Sequence, residues 1–498
     1  MKMRKITNAI FLLTVLLLVF NCKEKPIYSE SEIYSQEIED RIERVINNLL
    51  VETLETSHTN KYEKSTLESR LSYYQTPGIS IAVINEGKVE WSRGFGVKDW
   101  DTQEPVNQNT LFQVASVSKP ITALAIMKLK ESNSIDLDKD VNEYLKSWKI
   151  PSNGDWHPKV TLRQLLSHTG GLTVSGFPGY KVNAELPTTV EVLNGKYPSN
   201  TPPIETDILP GTQWRYSGGG LTVAQLVLED LFNKPFYSIM DSLLIKPLNL
   251  SSSTFQQPIP QSKLNLVATG HPQKYQAIKG GHHIYPEMAA AGLWTTSSEL
   301  AQIIVEVQKA ISGQSEYIST ESIEEMLTPQ KIASWMGMGF MIAGEGENIS
   351  FSHSGSNEGF NSVIMAYKDF KKGAVVLFNS NQGRLIGDEI LKSIAKEYDW
   401  AIDWPDEKDA IDCDEEILNN YVGEYKTDND LIFLVGTKGK NLTLTLSSQN
   451  PINLIPESET KFYSNIINLT IEFSTNKDNN NGITIVQAEG PITAKRIK

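Results

Sequence analysis

The sequence predicts an α+β domain over residues 37–402, followed by a small β-sandwich or barrel over residues 417–498. Strand-like segments occur at both ends of the first region with helical segments between them, so distant parts of the chain must assemble its sheet. After Trp400 the composition becomes acidic and apolar-poor, which predicts a linker at 403–416. From Tyr421 onward the pattern alternates as in strands and is broken by turn-rich stretches.

The composition excludes several classes of protein. The chain has 498 residues, 40% hydrophobic and 21% charged, which excludes collagen, a coiled coil and a polytopic membrane protein. It carries 46 Lys and Arg against 60 Asp and Glu, a net charge of -14, and has no long basic run. Nucleic acid is therefore not expected as a partner, because binding its phosphates needs clustered positive charge.

The first 22 residues predict an export signal. A basic start (Lys2, Arg4, Lys5) precedes an apolar run over residues 10–20. As a helix that run would reach ~17 Å, well short of the roughly 30 Å hydrocarbon core, so it indicates a secretory signal and not a membrane span. We expect residues 23–36 to be a tether.

The end of the signal, Val19-Phe20-Asn21-Cys22, resembles a bacterial lipobox. This resemblance predicts a lipoprotein of the periplasm or outer membrane that contacts the membrane only through lipid on Cys22; plain secretion and an uncleaved anchor are the alternatives. Phe20 and Asn21 depart from the small residues usual at their positions. A lipidated Cys22 would leave Cys413 as the only other cysteine, so no intrachain disulfide is predicted.

Periodicity predicts the main elements of the α+β domain. Apolar residues recur at helical spacing over 37–54, which predicts an amphipathic helix. Residues 78–96 alternate with period two around Asn85-Glu86-Gly87, which predicts a β-hairpin. A second strand pair is predicted at 361–367 and 373–379, followed by a helix at 386–398.

The sharpest candidate for chemistry is Ser116-Val117-Ser118-Lys119, followed by Pro120 and an apolar run through Leu129. Proline suits a first helical turn, so the helix begins near Ser116, with Lys119 one turn further on the same face. Desolvation of a lysine in such a core favours the neutral amine, which can take the serine proton. The alternative is a helix-capping serine with a surface lysine, and Ser393-Ile394-Ala395-Lys396 matches the same pattern on a helix we expect to be structural.

Two further stretches could complete such a site. Tyr216-Ser217-Gly218 precedes a helix, and a tyrosine can relay a proton between nucleophile and leaving group. His353-Ser354-Gly355-Ser356 stands where a strand should begin; Gly355 would let a substrate lie against the strand, and the Ser356 amide could join that of Ser116 in binding an oxyanion. Taken singly, Tyr216 could equally be a half-buried aromatic residue and His353 a satisfied polar residue beside a turn.

The ordered motifs at Ser116, Tyr216 and His353 resemble those of the serine β-lactamase and penicillin-binding-protein superfamily, in particular its class C β-lactamase-like serine hydrolases. The resemblance covers roughly residues 37–400, and the C-terminal segment is similar to the β domain often appended to such hydrolases. It implies a β-lactamase/transpeptidase-like fold, with an antiparallel sheet flanked by helices and an all-helical region. Three more stretches support it: residues 161–172, 214–220 and 291–296.

The resemblance implies an acyl-enzyme mechanism without metal or cofactor. Ser116 attacks an ester or amide carbonyl of a small or peptide-like substrate. Lys119 and Tyr216 share the acid/base work, while the Ser116 and Ser356 amides stabilise the oxyanion. Gly218, Ser354 and Gly355 line the substrate cleft, and His353 stands in the third motif. Which group takes the first proton varies among accounts of the family.

Two departures from the family pattern bear on the substrate. Gly218 replaces the Asn of Tyr-x-Asn, and the Tyr463-Ser464-Asn465 copy of that motif is set aside because it falls in the β domain. His353 replaces a lysine, and an imidazole is mostly neutral near pH 7, so it is a weaker anchor for a carboxylate. These departures favour an esterase or amidase. A β-lactamase or D,D-peptidase and a penicillin-binding sensor that does not turn over remain the alternatives.

Other patterns are less informative. The adjacent His282 and His283 lack the companions of a metal motif, and no G-x-S-x-G elbow is present in the sequence. The Pro-, Gly- and Asn-rich stretch over 176–210 could line the substrate cleft or be a surface excursion.

Overall fold

The computed structural model describes residues 34–54, 60–368, 371–400, 411–427, 431–439, 441–446, 451–464, 469–474, 482–487 and 490–497. The predicted signal with Cys22, residues 23–33 of the tether and residues 403–410 of the linker lie outside the described residues. Within the described ranges, every helix is too short or too polar to cross a bilayer.

Among the described residues, helices are distributed between positions 36 and 397, and one more lies before the last strands. They are α1 (Gln36–Asn47), α2 (Leu67–Tyr73), α3 (Ser118–Glu131), α4 (Leu162–Leu166), α5 (Thr189–Asn194), α6 (Gly218–Phe232), α7 (Phe236–Met240), α8 (Met288–Ala291), α9 (Ser297–Ile311), α10 (Thr320–Leu327), α11 (Gly383–Glu397) and α12 (Glu415–Tyr421).

The strands form one larger sheet, a barrel and three two-stranded pairs. They are β1 (Leu49–Leu54), β2 (Asn60–Ser65), β3 (Gly78–Asn85), β4 (Lys88–Gly96), β5 (Phe112–Gln113), β6 (Tyr180–Lys181), β7 (His283–Ile284), β8 (Trp294–Thr295), β9 (Met341–Ala343), β10 (Ser350–Asn357), β11 (Phe360–Tyr367), β12 (Gly373–Phe378), β13 (Gly423–Lys426), β14 (Ile432–Lys438), β15 (Asn441–Leu446), β16 (Ile452–Pro456), β17 (Lys461–Ser464), β18 (Leu469–Ser474), β19 (Gly482–Gln487) and β20 (Gly490–Arg496).

The central sheet is antiparallel, in the order β4-β3-β12-β11-β10-β9. It joins the predicted hairpin to the predicted C-terminal strand pair, and both predictions are confirmed. Glu86 and Gly87 connect β3 to β4 with φ values of 53° and 74°, the left-handed conformation that a tight hairpin turn requires. The sheet therefore brings residues almost 300 positions apart into register, as between Ile79 and Phe378.

Both faces of the sheet are covered by helices. Ile79, Ile81 and Val83 of β3 belong to the core cluster that includes residues of α1 and α11, whereas Ala82 belongs to the larger cluster with α9. The Ser80 and Ser297 hydroxyls lie 2.7 Å apart, so the small residues of β3 allow close approach of α9. A sheet with both faces covered accounts for the nearly complete burial of β3.

The helical region next to the sheet is built around α3. From Ser118 to Met127 every residue of this helix is buried, as the apolar run predicts, and the helix packs against α4, α8 and α10. Because α3 has packed neighbours on every side, the position of its N-terminus is well defined.

The C-terminal strands close into an antiparallel barrel, β13 to β20 in chain order. Of the two predicted forms, sandwich or barrel, the structure has the barrel. On β15, Leu442 and Leu444 belong to the barrel core and alternate in sequence with Thr443, as predicted. Tyr463 lies on β17 of this barrel, and Asn465 lies outside the described residues, so the second Tyr-Ser-Asn copy belongs to the barrel sequence.

Two boundary predictions are corrected. The predicted helix over 37–54 ends at Asn47, and Leu49–Leu54 instead pairs with Asn60–Ser65 as a strand, because a short apolar run fits a helix or a strand equally well. The predicted linker also loses its last two residues: Glu415 and Glu416 form the first turn of α12. Acidic residues are favourable at a helix N-terminus, so the acidity attributed to a linker here serves a helix.

Candidate active site

Ser116 lies in a tight turn between β5 and α3, within a single 3-10 turn over Ala115–Val117. From Thr110 to Met127 it is the one residue that is not buried. The preceding residue, Ala115, has a φ of 48°, a left-handed conformation that costs a non-glycine residue energy and is found mainly where surrounding structure imposes it. The turn thus presents one hydroxyl to the surface of an otherwise closed core.

Neighbouring elements impose this turn. The Ser362 hydroxyl on β11 donates to the Val114 carbonyl at 2.7 Å, and the Leu293 amide donates to the Ser118 hydroxyl at 3.0 Å. Because these bonds come from segments about 175 and 250 residues away in the chain, the position of Ser116 depends on the complete domain.

Lys119 is buried directly behind Ser116. Its side chain is 2% exposed, and Nζ lies 2.9 Å from Ser116 Oγ and donates to the Ala290 carbonyl on α8 at 2.8 Å. The second S-x-x-K match differs: the Ser393 hydroxyl donates to the Val45 carbonyl at 2.7 Å, while Lys396 is exposed. The two matches therefore separate into a paired serine and lysine and a packing serine with a surface lysine.

Tyr216 comes to the same place from the residues before α6. Ser217 caps this helix by accepting the Gly220 amide at 2.9 Å. The Tyr216 ring centroid lies 5.0 Å from Lys119 Nζ, and the ring is half-exposed. The hydroxyl, the amine and the phenol ring are thus grouped by three different segments of the chain.

His353 lies on β10, at the wall of this group. Its ring centroid is 6.3 Å from that of Tyr216, and its Nδ1 is 2.7 Å from the Ser354 carbonyl. Burial, with a further contribution from the nearby Lys119 charge, lowers the pKa of His353 to about 3. The imidazole is therefore neutral at pH 7. The sequence predicts a mostly neutral ring from the ordinary histidine pKa, and burial lowers the pKa well below that value.

The lack of a side chain at Gly355 matters for the packing of the Ser116 turn. A Cβ at this position would lie 2.2 Å from the Val114 carbonyl oxygen and 2.9 Å from the Ser116 amide nitrogen. The missing side chain thus makes room for the Ser116 turn itself, and the contact of a substrate with this strand stays a prediction. The following residue on β10, Ser356, is exposed. Ser354, on the other side of Gly355, is half-exposed.

Gly218 is not an open cleft position. It is buried as the first residue of α6, and a Cβ there would lie 2.9 Å from the Phe177 ring and 3.0 Å from the Ser175 carbonyl. The prediction that Gly218 lines the substrate cleft is therefore wrong, because Phe177 and its loop occupy that space. The stretch over 176–210 is also more ordered than expected, since it contains α5 and the β6 strand paired with β7.

His168 is a site residue that sequence reasoning did not assign. It follows α4 with a φ of 58°, its ring centroid lies 4.4 Å from that of Tyr216, and its Nδ1 accepts the Ser217 amide at 3.2 Å. Burial, together with the Lys119 charge and His353, holds the pKa of His168 well below its usual value. Only its place in the family-like stretch over 161–172 singled it out in the sequence.

Glu287 is a second unassigned group. It precedes α8, which carries the Ala290 carbonyl bonded to Lys119. The residue is 0% exposed, and neither carboxylate oxygen has a hydrogen-bond partner among the described residues. Burial raises the pKa of Glu287 to about 8, so the carboxyl group is largely protonated at neutral pH.

This carboxyl group predicts a pH dependence of stability. Because the folded-state pKa is raised, the stability that Glu287 contributes is fully present below about pH 4.5 and is lost as pH rises through about 8. Glu287→Gln should match the wild type near pH 4.5 and become more stable by one to a few kcal/mol, to order of magnitude, at pH 9. Urea unfolding across this range measures the difference. A difference that does not change with pH would contradict the assignment.

Glu299 supplies the control for this experiment. It is also buried, but its carboxylate accepts the Ser252 and Ser253 amides at 2.8 Å each. Replacing it with glutamine removes satisfied hydrogen bonds and should destabilise the protein at pH 7.

No three His, Cys, Asp or Glu side chains of the described ranges form a group that could hold a metal ion. His282 packs edge-on against the Trp294 ring with centroids 5.1 Å apart, and His283 Nδ1 lies 3.0 Å from the Pro178 carbonyl.

Comparison with known proteins agrees with this architecture. Penicillin-binding protein 4* of Bacillus subtilis is 23% identical over 447 residues, which cover 84% of this chain and 94% of that protein. Protein flp of Staphylococcus aureus is 24% identical over 335 residues, 66% of this chain and 64% of flp.

Solved structures show the same fold. The octameric penicillin-binding protein homologue from Pyrococcus abyssi superposes with a TM-score of 0.56 at 22% identity and covers 86% of this chain and 98% of its own. D-alanine carboxypeptidase AmpC from Burkholderia cenocepacia gives a TM-score of 0.55 at 18% identity over 72% of this chain and 99% of its own. The Beta-lactamase family model matches residues 64–395, about two thirds of the sequence. The chain belongs to the β-lactamase family.

Proposed function

We propose that this chain is an exported serine hydrolase that cleaves an ester or amide bond through an acyl-enzyme on Ser116. The observation that carries the proposal is the 2.9 Å contact between the buried Lys119 amine and the Ser116 hydroxyl, with the Tyr216 ring beside the amine. A nucleophile within hydrogen-bond reach of its base, and a third group next to both, is the arrangement that activates a serine.

The steps follow from these positions. Ser116 Oγ gives its proton to the Lys119 and Tyr216 pair and bonds to the carbonyl carbon. The Ser116 and Ser356 amides hold the oxyanion that forms. The leaving group takes a proton from the same pair as its bond breaks, and water then releases the acyl group from Oγ.

Two features favour esters and simple amides over β-lactams. The neutral, buried His353 offers no positive charge to a substrate carboxylate, and Phe177 fills the space where an amide side chain at position 218 would project. The rings of Trp214 and Trp335, with centroids 4.4 Å apart, continue the aromatic surface away from Tyr216. Such a surface suits an apolar acyl or leaving group.

Two alternatives remain within the same fold. A β-lactamase or D,D-peptidase is suggested by the names of the similar proteins, which include a penicillin-binding protein and a D-alanine carboxypeptidase. A non-turnover penicillin-binding sensor would keep the acylation groups and lack deacylation. As for location, we propose a lipoprotein tethered through Cys22 in the periplasm or outer membrane.

A substrate panel tests the proposal. Short p-nitrophenyl esters with aliphatic and aromatic acyl groups, D-amino-acid amides and nitrocefin should be compared by kcat/KM. We expect the esters to rank first, and the aromatic acyl groups to lead among them. Rapid nitrocefin or D-alanyl amide turnover with slow ester turnover would assign the enzyme to the first alternative, and a stable acyl adduct without turnover would assign it to the sensor.

A further inference from the structure

The two histidines beside Lys119 are fixed in opposite tautomers by their backbone contacts. The Ser217 amide can only donate, so His168 Nδ1 must be an acceptor and the ring proton lies on Nε2. The Ser354 carbonyl can only accept, so His353 Nδ1 carries the proton and its Nε2 is a bare acceptor. One ring therefore presents an N–H donor and the other presents a lone pair.

The Nε2 atoms of His168 and His353 are both buried, and neither makes a hydrogen bond to a described residue. His168 is 2% and His353 is 3% exposed. A buried polar atom without a partner is costly, and native proteins rarely leave one unsatisfied. Both rings lie near the Tyr216 ring, with centroids 4.4 Å and 6.3 Å from it, and their unpartnered atoms are a donor and an acceptor, which a single small polar group can satisfy together.

Lys119 faces the same place. Its charge lowers the pKa of both imidazoles. Besides its contacts with Ser116 and Ala290, the tetrahedral Nζ has room for one more hydrogen bond. Tyr216 also faces both rings. His168 also keeps a left-handed backbone, with φ at 58°, which a non-glycine residue holds only where its environment requires it.

We propose that His168 and His353 bind one water molecule between their Nε2 atoms and that this water holds Lys119 in line with Ser116. The water accepts from His168 Nε2–H, donates to His353 Nε2 and accepts from a Lys119 N–H. These three hydrogen bonds are the usual number for a buried water, which makes two to four. His168 is then a positioning residue. The inference rests on the proposed function, because it assigns Lys119 its catalytic orientation.

Paired substitutions separate the two ring nitrogens of His168. In His168→Asn the side-chain oxygen can still accept the Ser217 amide, but the substitution removes the Nε2–H donor. In His168→Gln the longer amide restores a donor near the Nε2 position. We expect His168→Asn to lower kcat about tenfold, as for the loss of one hydrogen bond in the transition state, with little change in KM, and His168→Gln to recover most of that loss.

His271 provides a matched control. It is 1% exposed, and both of its ring nitrogens are bonded, to the Trp100 amide at 3.3 Å and the Asn379 carbonyl at 3.1 Å. His271→Asn should lower the stability of the protein and leave kcat unchanged. A purely structural role for His168 would make the two Asn variants alike in kcat, and that result would overturn the proposal.

Ring ¹⁵N spectra of histidine-labelled protein test the tautomers without any turnover. At pH 7 we expect His168 to be neutral with its proton on Nε2 and His353 to be neutral with its proton on Nδ1. A crystal structure of the wild type should show a water within hydrogen-bond distance of both Nε2 atoms, and that of His168→Asn should lack it. The proposal would be overturned if the two rings had the same tautomer, if either ring were charged, or if the water were absent. The spectra would stand even if Ser116 were not the nucleophile, so the two failures are distinguishable.

Discussion

Replacing Ser116 with alanine should lower kcat/KM for the preferred substrate by about 10⁴-fold or more, because every covalent step of the proposed mechanism passes through its hydroxyl. The fold should survive, because Ser116 is partly exposed and the substitution removes only a hydroxyl group whose hydrogen bond is to the Lys119 side chain. Initial rates measured at substrate concentrations below KM, together with a thermal melt, check both statements.

The second S-x-x-K match supplies the control for this variant. Ser393→Ala removes a buried hydroxyl that donates to the Val45 carbonyl at 2.7 Å, so it should cost about 1 kcal/mol of stability and leave kcat/KM unchanged. Activity that survives in Ser116→Ala, or that is lost equally in Ser393→Ala, would contradict the choice of nucleophile.

Gly355→Ala should also lower activity strongly, though less than the loss of the Ser116 hydroxyl, although residue 355 does no chemistry. The added methyl group would meet the Val114 carbonyl at 2.2 Å and the Ser116 amide at 2.9 Å, so the nucleophile turn must move. A displacement of about 1 Å in a reacting group can cost about 100-fold in rate, and the overpacking itself about 1–3 kcal/mol. Steady-state kinetics and urea unfolding measure the two effects.

Gly387→Ala is the matched control. Gly387 lies within α11, and a Cβ there would have ordinary contacts of 3.5 Å or more with Phe378 and Val363. Alanine is favoured over glycine in a helix interior by up to about 1 kcal/mol. This variant should therefore be as active as the wild type and equally or more stable. Full activity in Gly355→Ala would show that the turn does not depend on the close approach of β10.

The sequence was informative where local pattern determines local structure. The alternation around Glu86 and Gly87 predicted the β3–β4 hairpin, and the apolar run after Pro120 predicted the buried α3. It was misleading where an apolar segment satisfies two patterns, as at Leu49–Leu54, where pairing with a later strand overrides helical spacing. Its acidic linker also overlapped the start of α12.

The candidate site was predictable in its residue types and not in its supporting contacts. The motif order identified Ser116, Lys119, Tyr216 and His353, and the structure places them side by side. That Phe177 fills the space at Gly218 depends on the path of a loop about 40 residues earlier, which no spacing encodes. The same holds for His168, whose importance depends on contacts with segments it does not adjoin in sequence.

The most direct test of the account is to trap the acyl-enzyme and find its position. A p-nitrophenyl ester should be mixed with the enzyme for a short time, quenched in acid, and analysed by intact-mass spectrometry and peptide mapping. We expect the mass to rise by one acyl group, carried on Ser116, and the label to disappear as turnover finishes. An acyl group found on another residue, or a labelled Ser116→Ala protein, would contradict it.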